Sequence, residues 1–445
     1  MKYYVAYYLL VALGAVICLL APRVVARPWQ RWTAFAVPSV LVAGFLWRYS
    51  EPSRFLNDFK KAYYPAADLV RDRASLAALY NTDDPVSGFV NLPIVAWLFV
   101  PFTLWTDHQA GLVYTAVGLV AVAAACLWLV KLTGTTGWAL ATVVGLFVIN
   151  GPLYNSLREG NTTHVLLLAV VALLWAMQRR NDPLAGIALA ALVLVKPPLA
   201  LLAAPLLLRQ RWLALASAAA AAASVAGASM LLYGWDIHRT WYEVAIQPYS
   251  EHPLGAFNVQ SLNAAMARLI SGDKYAYDWT PIDEYGPAFT LTRTAIVLLL
   301  VSASLLVWWR TRARPADRIA LNQELSIVLV LALVVSPASW SHYYSLLLVP
   351  FVLAVSGNLG VPDDRRWWAA LSVIVLLASA PVREVATGAP LLDELAARVL
   401  ASHFLIGGLL LLGFALAVRW RWARAAGEGP RERVAMASVA PSTAN

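Results

Sequence analysis

Long apolar runs separated by short polar interruptions dominate this chain. They occupy 4–22, 33–48, 92–106, 109–130, 137–150, 162–178, 184–208, 212–233, 288–309, 322–357, 367–381 and 398–418. Runs near 20 residues match the hydrocarbon thickness of a bilayer, where a helix satisfies its own backbone. The pattern predicts an all-α polytopic membrane protein, a bundle of about 11–13 transmembrane or re-entrant helices. Two stretches, 49–91 and 234–287, are longer and more polar than the other interruptions. In the first, Leu69, Val70, Leu76, Leu79 and Tyr80 recur among charges at helical spacing, which predicts helices lying on the membrane surface. Residues 1–426 read as one integral-membrane domain without an internal repeat, and the polar segment 427–445 reads as a disordered tail.

Two runs carry breaks. Lys196-Pro197-Pro198 lies in the middle of 184–208. Prolines interrupt the helical ladder, so the run predicts two half-length helices meeting at a turn inside the membrane. Such a turn is tolerated where protein buries it or where it lines a cavity. The run 322–357 exceeds one span and is broken at Ser336-Pro337-Ala338-Ser339-Trp340-Ser341-His342. It predicts two helices with that polar break near the outer surface.

Composition agrees. The chain is 60% hydrophobic and 13% charged, with mean hydropathy +0.64, whereas soluble domains carry roughly 25% charged residues. The net charge of +9 would suit a nucleic-acid partner. Here, however, the arginines gather at run ends: Arg23, Arg27 and Arg31; Arg179 and Arg180; Arg209 and Arg211; Arg310, Arg312, Arg314 and Arg318; Arg419, Arg421 and Arg424. That is a topology signal placing these ends in the cytoplasm and 49–91 and 234–287 outside, with no nucleic acid involved. Four runs then separate the outward loop 49–91 from Arg179-Arg180, where an odd number of crossings is required. One of 92–106 and 137–150 must fail to cross. Cys18 and Cys126 lie within apolar runs and form no metal pattern.

Candidate chemistry gathers at the outer side. Asp58, in Asn57-Asp58-Phe59-Lys60-Lys61, has two readings: it caps a surface helix, or its carboxylate takes a proton from an acceptor hydroxyl. Lys196 at the turn is costly unless paired or solvated, which points to a phosphate or carboxylate partner; the alternative is a lysine snorkelling to the interface. His342, flanked by Ser339, Trp340, Ser341 and Tyr343, is either structural or a donor to phosphate, or an acid or base. Arg158 stands with Glu159, Asn161 and His164, and either clamps a phosphate or pairs with a nearby acid. Asn258 and Gln260 suit sugar hydroxyls but are equally at home in a loop. Asp83-Asp84 before Pro85 read as turn residues; no cofactor is implied, and a divalent cation is allowed rather than required.

Several of these pieces, in order, resemble glycosyltransferase family 87, polytopic enzymes of the GT-C architecture that include bacterial mannosyl- and arabinofuranosyltransferases. The matching residues are Asp58-Phe59 with Tyr63, Leu79-Tyr80, Asn91-Leu92-Pro93 leading to Val100-Pro101-Phe102, Gly160-Asn161, Leu194-Val195-Lys196-Pro197 and Ser336-Pro337-Ala338-Ser339-Trp340-Ser341-His342-Tyr343. The resemblance implies inverting transfer of a sugar from a polyprenyl-phosphate-linked donor to a glycolipid or glycan acceptor. Mannose is the first expectation and arabinofuranose the second. It implies Asp58 as general base, and His342, Lys196 and Arg158 at the donor phosphate. Tyr63, Tyr64, Asn161, Ser339, Trp340, Asn258 and Gln260 are then expected to contact substrate. The site would face the outer side of a bacterial cytoplasmic membrane, with membrane lipids as further partners. Two features depart from the family: Asn161 replaces a common glutamine, which bears on the sugar hydroxyl contacted, and two apolar runs precede the catalytic loop. The competing class is a lipid or sugar transporter, which also uses broken helices with polar groups at depth. Against it, the two halves show no repeat, and the polar groups collect on one face.

Overall fold

The computed structural model describes residues 11–16, 19–20, 29, 40, 55–72, 76–80, 88–312, 317–380 and 389–425. Most of the runs 4–22 and 33–48, Asp83-Asp84 and the tail 427–445 fall outside them. Among the described residues the elements are helical, with one isolated antiparallel bridge between Val259 and Trp340. The chain is thus an all-α membrane protein. Among the described residues five helices are long and apolar enough to cross a membrane: Asp107–Thr133, Trp212–Tyr233, Pro287–Thr311, Arg318–Val335 and Pro390–Ala425. The bent pair Gly137–Ile149 and Gly151–Glu159 passes that test as one unit. Other apolar runs are shorter helices, among them Thr163–Gln178 and Asp182–Val195.

The helices have two common ends. Asp107–Thr133 starts beside the segment that carries Asp58, where a Cβ on Gly111 would meet Leu56, and has Lys131 in its last turn. Gly137–Ile149 and Gly151–Glu159 return to Arg158, whose carbonyl accepts from Leu56 N–H at 2.6 Å. Thr163–Gln178 runs back to Arg179; its 16 residues span about 24 Å. Three elements therefore run between the ends, the odd number the charge pattern demands. Pro93–Leu104 is the segment that stays at one end. It packs on the Tyr64–Asp72 surface helix, with Tyr64 Oη donating to Trp105 O at 2.9 Å and Arg71 donating to Thr103 Oγ1 at 2.8 Å. Of the two candidates, 92–106 is thus the one whose packing keeps it at the Asp58 end of the bundle.

The other broken runs fold as the prolines predict. The Asp182–Val195 helix begins at an Asn181 cap and stops at Lys196, whose φ of −137° and ψ of 90° leave the helical region. Pro197–Ala203 and Ala204–Leu208 then lead back to Arg209. Both limbs of this hairpin start and finish at the same basic end, since Arg180, Asp182, Arg209 and Arg211 line one cleft. The hairpin is held by close backbone approach: a Cβ on Gly186 would sit 2.4 Å from Ala214 O and 2.6 Å from Ala218 N. Within lipid, where burial gives little drive between helices, small residues permit such packing. Arg318–Val335 is the central helix, almost wholly buried, and the break at Ser336–Trp340 separates it from Ser341–Leu347 and Leu348–Val355. Trp212–Tyr233 and Pro287–Thr311 are peripheral and present nearly their whole apolar length outward.

A second, smaller core forms outside the bundle from Phe59, Tyr63, Tyr80, Phe89, Phe99 and Tyr114. Phe59 stacks on Tyr114 at 4.8 Å and Tyr63 on Phe99 at 4.5 Å. This aromatic layer ties the 55–80 segment to the top of the bundle and gives the residue between them, Asp58, a fixed place.

Candidate active site

Asp58 opens a π-helical turn, Phe59–Tyr63, a local form common at functional sites. Its backbone is helical (φ −65°, ψ −40°) and its carboxylate makes no cap bond. The capping alternative thus fails. Instead Asn161 Nδ2 donates to Asp58 Oδ2 at 2.8 Å. The amide has no freedom to turn. Its Oδ1 accepts from Thr163 N–H at 3.1 Å and Thr163 Oγ1 at 2.9 Å, and its carbonyl accepts from Tyr114 Oη at 3.0 Å. With the oxygen occupied, the NH₂ must face the carboxylate. Gly160 makes this approach possible. It sits at φ +67°, and a Cβ there would lie 2.7 Å from Phe59 Cβ. Asp58 retains some accessible surface, yet burial is the largest influence on its carboxyl and raises its pKa above the usual range. The Asn161 donor and the charge of Lys196 pull the other way.

Lys196 is 5% exposed, so it does not snorkel. Its Nζ lies 3.7 Å from the ring centroid of Tyr343, a cation–π contact worth about 0.5–2 kcal/mol. Among the described residues no carboxylate lies within ion-pair distance of it. Its charge nevertheless acts on both Asp58 and His342, so three groups from three separate parts of the chain converge. The turn is anchored by Asn91, whose Nδ2 donates to Val195 O at 2.7 Å, while Tyr80 Oη donates to Asn91 O at 2.6 Å. His342 is buried and its Nε2 finds no partner among the described residues. A buried polar atom left over in this way calls for an explanation. Tyr343 adjoins it edge-on at 5.1 Å.

The broken segment is held from both sides. Asn155 Nδ2 donates to Ser341 Oγ at 3.1 Å. Ser341 N–H donates to Asn258 O at 2.8 Å, and Gln260 N–H to Ser339 O at 2.5 Å. The loop that supplies the Asn258 carbonyl and the Gln260 N–H hangs on Arg268, only 1% exposed. Its Nη1 donates to the carbonyls of Gly255, Ala256 and Val259 at 3.2, 2.8 and 2.9 Å, and its Nη2 to Ser402 Oγ at 2.9 Å.

Placement of the expected residues is therefore uneven. Asp58, Asn161, Lys196 and His342 come together. Tyr63 is buried beside them and Asp58's charge reaches it. Arg158 lies three residues from Asn155, 3.7 Å from Glu159 Oε1, with its Nε unpartnered among the described residues. Ser339 is fully buried with an unpartnered Oγ, and Trp340 is half-buried beside it. Tyr64 is turned to Trp105. Gln260 is spent on structure: Nε2 donates to Phe257 O and Ala401 O, and Oε1 accepts from Phe404 N–H. Asn258 Oδ1 accepts from Trp279 Nε1 at 2.9 Å. Thr163, Tyr114, Tyr343, Asn155 and Arg268 were not singled out from the chain. Only Tyr343 carried a signal, its place in the broken segment; the others act through contacts far apart in sequence.

No solved structure matches the chain. A polyprenol-phosphate-mannose-dependent α-(1-2)-phosphatidylinositol pentamannoside mannosyltransferase of Mycolicibacterium smegmatis is 24% identical over 363 residues, covering 78% of this chain and 82% of the relative. Residues 89–337 match glycosyltransferase family 87, a span that holds Asn161 and Lys196, with Asp58 before it and His342 just after. Since that span exceeds half of the chain, the protein belongs to glycosyltransferase family 87 and is a membrane glycosyltransferase.

Proposed function

We propose that this enzyme transfers mannose from a polyprenyl-phosphate-linked donor to a glycolipid or glycan acceptor, with inversion, at the outer face of a bacterial cytoplasmic membrane. The observation that carries the reading is the convergence of a held carboxylate, Asp58, with a buried lysine and a buried imidazole. The donor class and the choice of mannose over arabinofuranose draw on the named activity of the mycobacterial relative. The orientation rests on the arginine clusters at the opposite end of the bundle.

In the proposed reaction the acceptor hydroxyl oxygen attacks the anomeric carbon. The bond from that carbon to the phosphate oxygen breaks, and the electron pair leaves with polyprenyl phosphate. Asp58 Oδ accepts the hydroxyl proton. Its raised pKa brings the carboxylate's basicity closer to the task, and Asn161 holds it in line. Lys196 Nζ and His342 Nε2 stabilise the charge growing on the departing phosphate, with Arg158 beside them. Such groups act strongly where water is excluded. This assignment gives the unpaired His342 Nε2 and the buried ammonium a common partner.

The test is transfer from radiolabelled polyprenyl-phosphate mannose in membranes carrying wild type or Asp58→Asn. Losing the base should lower turnover by about 10²- to 10⁴-fold while the protein remains folded. Transfer that persists in the variant removes Asp58 as base. Labelled product only from an arabinofuranosyl donor replaces mannose and leaves the base intact.

A further inference from the structure

At the end of the bundle opposite Asp58 lies a cleft of about 1420 Å³. It is walled by the last turn of Asp107–Thr133, the last turn of Thr163–Gln178, the Arg209–Arg211 turn and the first turn of Arg318–Val335. Six cations line it, Lys131, Arg179, Arg180, Arg209, Arg211 and Arg318, against the acids Asp182 and Asp317. Two cations are neutralised: Arg211 by Asp182, with Nε 2.7 Å from Oδ1, and Arg209 by Glu324 at 2.6 Å. Asp317 is engaged as a helix cap, accepting from Ala320 N–H at 2.7 Å. Lys131, Arg179, Arg180 and Arg318 therefore have no carboxylate partner among the described residues, and Arg179 and Arg318 are close enough to act on one another.

A topology signal requires positive charge at this end, but it does not require like charges to converge on one cleft. Their mutual repulsion is relieved by an anion. One wall of the cleft is apolar: Leu127, Leu132 and the Trp128–Trp175 pair at 5.8 Å. Leu127 is 69% exposed and continues an outward-facing stripe through Val120, also 69%, and Leu112, 57%. The cleft is thus basic inside and continuous with the lipid-facing side of a long helix.

We propose that this cleft binds the phosphate headgroup of an anionic membrane phospholipid, its acyl chains lying along the Leu112–Val120–Leu127 stripe. Basic pockets between helix ends recognise lipid headgroups in this way. The site does not depend on the sugar-transfer reading, and none of Asp58, Asn161, Lys196 and His342 lines it.

The test uses the full chain purified in detergent. Binding of phosphatidylglycerol and of phosphatidylcholine is titrated by native mass spectrometry, with and without excess inorganic phosphate. Wild type should prefer phosphatidylglycerol, and phosphate should not displace it. Arg179→Gln/Arg318→Gln should weaken that binding about 30-fold, from roughly fivefold per cation, while sugar transfer persists. Lys131→Gln/Arg180→Gln removes two exposed side chains and should weaken binding similarly, which covers a folding failure in the first pair. Arg310→Gln, a cation at the same end but outside the cleft, should leave binding unchanged. Equal binding of both lipids, unchanged binding in both double variants, or an equal loss in Arg310→Gln overturns the proposal. Displacement by inorganic phosphate makes the cleft a soluble-anion site and likewise overturns it.

Discussion

Replacing Asn161 by alanine isolates the one side-chain hydrogen bond made to the proposed base among the described residues. In the native chain Nδ2 gives a 2.8 Å hydrogen bond to Asp58 Oδ2, and Thr163 holds the amide so that this donor cannot turn away. A hydrogen bond to a charged group is worth about 1.5–3 kcal/mol. It stabilises the carboxylate form alone, so it opposes the upward pull of burial on the Asp58 pKa. Without it the carboxyl rises further, and the acid limb of the rate profile moves to higher pH. Activity requires the deprotonated base, so it falls as pH drops through that pKa. On the acid side, kcat/KM should fall roughly 10- to 150-fold, the rate equivalent of that energy. The loss should shrink as pH rises and the carboxylate is restored. The assay is transfer from polyprenyl-phosphate mannose across a pH series, with Asp58→Asn as the floor. A loss of equal size at every pH would mean that Asn161 acts on substrate or folding. An unaltered profile would refute the claim that its amide tunes Asp58.

Two further substitutions probe the frame around the site. Gly160→Ala forces a side chain into left-handed backbone, at about 1–2 kcal/mol, and drives its Cβ against Phe59, so transfer should fall at least about tenfold as the Asp58 turn is displaced, measured alongside a thermal melt. Arg268→Met removes the buried donor shared by the carbonyls of Gly255, Ala256 and Val259, of which Ala256 O keeps Val259 N–H, at about 1–3 kcal/mol for each carbonyl left unpaired; the melting temperature should drop and proteolysis within 254–261 should quicken. Arg268→Lys should not rescue it, because a single ammonium lacks the planar fork that reaches several acceptors.

Much of this protein could be read along the chain, because a bilayer allows few solutions. Apolar run length gave the helices, and the described spans coincide with the runs to within a few residues, as at 162–178 and 212–233. The prolines after Lys196 announced a hairpin, since a residue without an N–H stops a helix wherever it falls. Charged and polar residues stranded between apolar runs marked Asp58, Lys196 and His342, because each would be costly there without a role.

What tertiary structure alone decided was pairing. Asn161 and Asp58 are 103 positions apart, and nothing local says that the amide would face a carboxylate and not a sugar. Gln260 read as a candidate for a sugar hydroxyl, and Arg268 drew no attention within the polar stretch 234–287. Only the packed fold turns them into hubs, because their partners come from 401–404 and from carbonyls exposed by an irregular loop. The choice between 92–106 and 137–150 was open for the same reason. Both are apolar enough for lipid, and it is contact with the Tyr64–Asp72 helix that keeps Pro93–Leu104 at one end. Hydrophobicity is a property of each residue and survives in a one-dimensional reading. Hydrogen bonds and electrostatic coupling depend on distance, and distance exists only once the chain has folded.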